Sequence, residues 1–140
     1  MSPQFNRHEP APQRHYVCSG SPWEERYRFA RAVRAGNHIQ VAGTLLVNDD
    51  GSPAHPGDAY RQARGILEKI RLALEPLGAS LSDIVRTRMF ITDVAYCDDV
   101  GRAHAEAFGE THPAATMLVV AGLVLDGALV EIEAEAVLQP

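Results

Sequence analysis

The chain has 140 residues, 46% of them hydrophobic, and a formal net charge of −5. That length and composition fit one globular domain burying roughly 65–70% of its unfolded surface, with no need of a metal or disulfide staple. The mild acidity argues against a nucleic-acid surface. The longest apolar stretches, 117–120 and 123–125, are too short to span a bilayer.

In chain order, residues 1–13 are proline-rich and aperiodic, which predicts a flexible tail ahead of a single domain over 14–140. The start has no apolar run of the signal-peptide kind. Cys18 and Cys97 form no CxxC pair, so both are expected to be reduced thiols in a cytoplasmic protein. A short β-leaning run over 15–18 is broken at 19–22, which leaves Trp23 in a loop, as a packing anchor or as a cap over a cleft or subunit edge. Residues 29–34 and 39–41 read as a hairpin turned by Gly36-Asn37. A polar loop follows at 48–53.

The strongest helical signal covers 58–77, where Ala59, Ala63, Ile66, Leu67, Ile70, Ala73, Leu74 and Leu77 recur at spacings of three and four and Gly78 supplies the stop. A strand over 84–92 places Val85, Thr87, Met89 and Ile91 on one face and Arg86, Arg88 and Phe90 on the other. A second amphipathic helix covers 97–108, with Asp98 and Asp99 in its first turn. Strands over 114–120 and 130–138 end the chain.

The order predicts an α+β fold, two helices covering one face of a mixed sheet. In the last strand Val130, Ile132, Ala134 and Ala136 turn toward the helices, and Glu131, Glu133 and Glu135 toward the open side with Arg86 and Arg88. Three carboxylates in a row need compensation. Water on a solvated face supplies it, or arginines of a neighbouring strand or subunit do; ion pairing is the favoured reading.

Four segments carry a resemblance. Residues 31–43 and 83–93, the stretch His112-Pro113-Ala114-Ala115-Thr116-Met117, and Val130-Glu131-Ile132-Glu133-Ala134 resemble, in order, the first hairpin, the strand-and-turn segment, the Pro-Ala-Arg-Ser segment and the closing strand of the RidA/YjgF reactive-imine deaminase family. The resemblance covers residues 16–138. It implies a chorismate-mutase-like α+β fold, a homotrimer with sheets lining a central barrel, and three ligand clefts between subunits. It implies catalysis without metal or organic cofactor: an arginine of the Pro-Ala-Arg-Ser segment holds the substrate carboxylate, a glutamate of the closing strand positions or activates water, and an imine becomes a keto acid plus ammonia.

The glutamate is kept as Glu131, the expected catalytic residue. The arginine is replaced by Ala115, which cannot hold a carboxylate bidentately; losing such an anchor costs on the order of 2–5 kcal/mol. Phe29 stands where deaminase members commonly have tyrosine, and Met117 where they have cysteine, so the wall is more apolar. Ala42 and Gly43 of the hairpin complete the expected ligand-binding set with Phe29, Arg88, Ala115 and Met117. Arg88 is the arginine best placed to substitute, against the plainer reading that it neutralises Glu133 or Glu135. Arg31 reads as a solvated strand charge. His38, His104 and His112 have no ligand spacing, so no metal site is expected.

These features predict a non-RidA branch member that binds or hydrolyses a small imine- or enamine-like metabolite between subunits, with the classical 2-imino-acid activity lost or altered. The alternative is a non-catalytic trimer acting as a chaperone-like or regulatory interaction protein. Ribonuclease activity fits worst, because no basic stripe or histidine pair is present. The expected partners are the chain's own copies and a small molecule, not nucleic acid or membrane.

Overall fold

A computed structural model describes residues 14–140; the expected tail lies outside the described residues. Among the described residues three α-helices form, two of them opened by a side-chain N-cap. The first, α1 (Pro22–Tyr27), was not expected. Ser21 is its N-cap and accepts from the Trp23 N–H at 3.3 Å. Pro22 sits in the first turn, where its missing N–H costs nothing. Trp23 is thus helical, not a loop residue, and its ring stacks on Tyr27 with centroids 5.6 Å apart. Arg28, left-handed at φ 60°, ends the helix.

The long helix α2 (Ala59–Leu74) starts at Asp58, whose side chain accepts from the Arg61 N–H at 3.0 Å. Pro76 breaks its end into a 3-10 turn over Glu75–Leu77, closed by Gly78 at φ 83°. Every apolar residue of the expected stripe is buried. Helix α3 (Cys97–Phe108) forms where its periodicity predicts and buries Val100, Ala103 and Phe108.

Six strands, β1 (Arg14–Val17), β2 (Ala32–Ala35), β3 (His38–Thr44), β4 (Ile84–Ile91), β5 (Ala114–Val119) and β6 (Val130–Val137), form one sheet in the order β1-β2-β3-β6-β4-β5. Among the described strands only the β4–β5 pair is parallel, because α3 carries the chain across between them. The strand expected over 29–34 begins at Ala32, since Arg28 turns the chain just before it.

Helix α2 packs on β3 and β6, and α3 packs beside it. The core joins their apolar faces to Ile39, Met89, Ile91, Val130 and Ile132. Burying one such side chain contributes about 1.5–3 kcal/mol. The fold is therefore the expected mixed sheet with helices over one face.

Two bulges interrupt the ladder. On β4, Ile84 pairs with Ala136 and Arg86 with Glu135, so Val85 is an extra residue. This corrects the strand reading. Ile84 takes the core position at 2% exposure, and Val85 turns outward at 47%. On β3, Val41 pairs with Ala134 and Thr44 with Ile132, so Ala42 and Gly43 together span the single residue Glu133. The Thr44 hydroxyl closes this second bulge by donating to the Ala42 carbonyl at 2.7 Å. Bulges re-aim side chains and occur often beside active sites. Among the described residues no helix is long and apolar enough to cross a membrane.

Candidate functional site

The open face of β6 places its three carboxylates in different surroundings. Arg88, opposite Glu133 on β4, reaches Glu133 Oε1 at 3.3 Å and Glu135 Oε1 at 3.2 Å. Arg86 turns the other way and donates to the Thr116 hydroxyl of β5 at 2.8 Å. Glu131 is opposite Phe90, so β4 offers it no cation. The compensation expected for the acidic row is thus supplied within the chain for two of three carboxylates.

The third lies against the β3 bulge. A methyl placed on Gly43 would come within 2.2 Å of Glu131 Oε1, so any side chain at position 43 would make this carboxylate swing away from the seat it holds. Half-burial pushes the Glu131 carboxyl above its ordinary range; the Arg31 charge pulls it down, and neighbouring Glu133 pushes it up. A carboxyl raised in this way suits proton exchange with water nearer neutral pH than an ordinary glutamate.

Arg31 was expected as a solvated charge, and the structure corrects that: it is 8% exposed. Its backbone bridges β1 and β3, donating to the Val17 carbonyl and accepting from the Ala42 N–H. Its Nε lies 3.6 Å from Glu24 Oε2. Its guanidinium stands 5.7 Å from the centre of the Phe29 ring. Glu24, also buried, accepts from the backbone N–H of Ser19 at 2.7 Å and from its hydroxyl. Lys69 of α2 donates to the Leu45 carbonyl at 3.2 Å, and burial and the Arg31 charge hold its ammonium below its ordinary range.

The expected site residues fall into two groups. Phe29, Ala42, Gly43 and Glu131 gather around the β3 bulge, and Phe29 is exposed. Ala115 and Met117 pair with Thr87 and Met89, and Met117 packs against the core. They therefore face the helix side of the sheet, whereas Thr116 between them meets Arg86 on the open side. One chain does not bring Ala115 and Met117 to Glu131. Arg88 shares the open face with Glu131 but is committed to its two ion pairs.

Sequence reasoning missed Glu24 and the burial of Arg31. The available signal was Ser21-Pro22-Trp23-Glu24, a cap, a first-turn proline and an early acid, which together mark a helix start. Among the described residues no group of acids, histidines and cysteines could hold a metal ion.

Fold and site together define a helix-backed α+β protein with a glycine-cradled carboxylate on its bare sheet face. The family model described as Endoribonuclease L-PSP matches residues 22–138, and the chain belongs to this family, within the RidA/YjgF superfamily. Its relatives include the uncharacterized protein SCO2049 of Streptomyces coelicolor, 40% identical over 86% of this chain and 89% of that protein. The 3-aminoacrylate deaminase RutC of Acinetobacter baylyi is 35% identical over 77% of this chain and 85% of its own length. Among solved structures, Rv2704 of Mycobacterium tuberculosis, described as a YjgF/YER057c/UK114 family member, is 42% identical with a TM-score of 0.81, covering 89% of this chain and 99% of that one.

Proposed function

We propose that this protein hydrolyses a small imine or enamine that is not held by a carboxylate, in clefts between the subunits of a homotrimer. An enamine first takes a proton at carbon to become an imine; Glu131 then takes a proton from water as the water oxygen adds to the C=N carbon and the π pair moves to nitrogen, and it returns that proton to the nitrogen. The resulting aminol passes its hydroxyl proton to the nitrogen as the C–N bond breaks, releasing ammonia and leaving a carbonyl. No cofactor is needed. The observation that carries this reading is Glu131 itself: raised by burial, seated over Gly43, and left out of the Arg88 ion pairs.

The substrate class follows from what surrounds it. Ala115 offers no charge to a carboxylate, Phe29 and Met117 offer apolar surface, and Arg88 is already paired. The relative named 3-aminoacrylate deaminase supports C=N hydrolysis as the reaction type. Because Ala115 and Met117 face away from Glu131 within one chain, a cleft holding all three takes them from different subunits.

Steady-state ammonia release from matched imines with and without a carboxylate tests this. Turnover of the uncharged set is expected to exceed that of the carboxylate set, and Glu131→Gln should lower it by at least about 100-fold, the usual contribution of a proton-transferring side chain. Equal or faster release from the carboxylate set would overturn the substrate class. No release from either set would favour the non-catalytic interaction protein.

A further inference from the structure

We infer that His104 is a substrate-binding residue of the cleft wall formed by Ala115 and Met117: held as a neutral ring by Thr87, its Nδ1–H donates a hydrogen bond to an uncharged carbonyl oxygen on the imine. The substrate class narrows to imines or enamines that carry a carboxamide-type carbonyl in place of a carboxylate. This rests on the reading of Glu131 as the carboxylate that activates water, and it supplies the polar contact that Ala115 cannot.

The strand register places the ring at that wall. Thr87 of β4 pairs with Ala115 of β5, and Met89 with Met117. Residues paired across a ladder sit roughly 4.8 Å apart and share a face. The Thr87 hydroxyl lies 2.8 Å from His104 Nε2, so the imidazole stands on the helix side of the sheet, one strand from Ala115. Further along this face, Met89, Ile91, Met117 and Val119 are all apolar. Thr87 and His104 are thus a polar pair in an apolar wall. Ala115 is exposed and offers only a methyl beside them.

The hydroxyl fixes the tautomer. Thr87 is fully buried, and among the described residues Nε2 is the one acceptor its hydroxyl hydrogen meets. A buried donor left unpaired is costly, so the hydroxyl donates and Nε2 accepts. The ring proton then sits on Nδ1. A second ring proton would turn Nε2 into a donor and strand the hydroxyl hydrogen. Burial acts the same way, lowering the His104 pKa from 6.5. Nδ1 has no partner among the described residues and is not sealed from solvent. Phe108 braces the ring, with centroids 4.5 Å apart. The result is a fixed, uncharged donor free to meet a ligand.

A neutral donor sets the chemistry of what it holds. It pairs with a carbonyl oxygen and needs no counter-charge. A carboxylate in the same place would exchange water for an apolar wall and one neutral N–H, which does not offset its desolvation.

Matched imines generated in solution test this: 2-iminopropanamide against propan-2-imine, compared as the ratio of kcat/KM for ammonia release. The ratio should be about 10 in the intact protein, the size of one added neutral hydrogen bond. It should fall toward one in His104→Phe, and His104→Gln, which keeps an N–H donor, should retain part of it. Thr87→Val frees the tautomer and should lower the ratio as well. A merely structural role would lower both rates together, so a ratio that stays the same in the folded His104 variants would overturn the inference. A second readout is independent of turnover and uses the unaltered chain. In protein labelled with 15N-histidine, His104 should show a protonated Nδ1 and an accepting Nε2; a protonated Nε2 would contradict the assignment. Pyruvamide should shift Nδ1 more than acetone, which lacks the second carbonyl. That shift without ammonia release from any imine would keep His104 as a binding residue and refute the reading of Glu131. Ammonia release with no such shift would refute the role of His104 alone.

Discussion

On β6, Val130, Ile132, Ala134 and Ala136 point into the helices and are at most 2% exposed, while Glu131, Glu133 and Glu135 point to the bare side. The inward row is satisfied within its own chain by α2 and α3. The outward row is satisfied only in part: Arg88 pairs with Glu133 and Glu135, and among the described residues Glu131 has no ion pair. One strand therefore carries stability on one face and, on the other, a carboxylate whose charge state is left adjustable. Adjacent residues should answer substitution in different ways.

The largest effect on folding is expected at Ile132, which is fully buried between sheet and helices. Ile132→Ala should cost about 3 kcal/mol in urea unfolding, within the usual range for such cavities. Next to it, Glu131→Gln should make the protein more stable at neutral pH. A carboxyl raised by burial binds its proton more tightly in the folded state, so stability falls as pH climbs from the ordinary value of 4.5 through the raised one. The amide removes that loss. Unfolding midpoints of both proteins against pH would show their curves separating above the ordinary glutamate range.

His104 provides the opposite slope on the helix side. Its Nε2 lies 2.8 Å from the Thr87 hydroxyl, its ring rests on Phe108, and burial lowers its pKa from 6.5. The folded state therefore prefers the neutral ring, and stability is lost as pH falls below 6.5 toward the lowered value. His104→Gln should flatten that part of the stability curve. The smallest effect is expected at Val85: because the bulge turns it outward, Val85→Ser should change stability by within about 0.5 kcal/mol. A loss of core-residue size would place Val85 back on the inner face.

The two faces also differ in how legible they were. The inward face follows from period alone: the alternation of β6 and the stripe of α2 each bury the residues they predict. Glu131 was legible as a residue through the resemblance of its strand. Its environment was not, because that depends on two features period cannot encode. One is the extra residue in β3, which moves Gly43 under the carboxylate; the other is α1, six residues long, whose Glu24 reaches Arg31 seven positions later. A period-2 reading likewise fails at Val85, where one inserted residue shifts every face before it.

The central claim is that the site is completed by a second copy, since Glu131 and Ala115 face opposite sides of one sheet. Ammonia release after mixing Glu131→Gln with Ala115→Trp, each inactive alone, tests it most directly. Random exchange of subunits should leave about a quarter of the clefts with both intact residues, and activity near a quarter of wild type should return. No recovery in mixtures whose exchange is verified by native mass spectrometry would contradict the shared cleft.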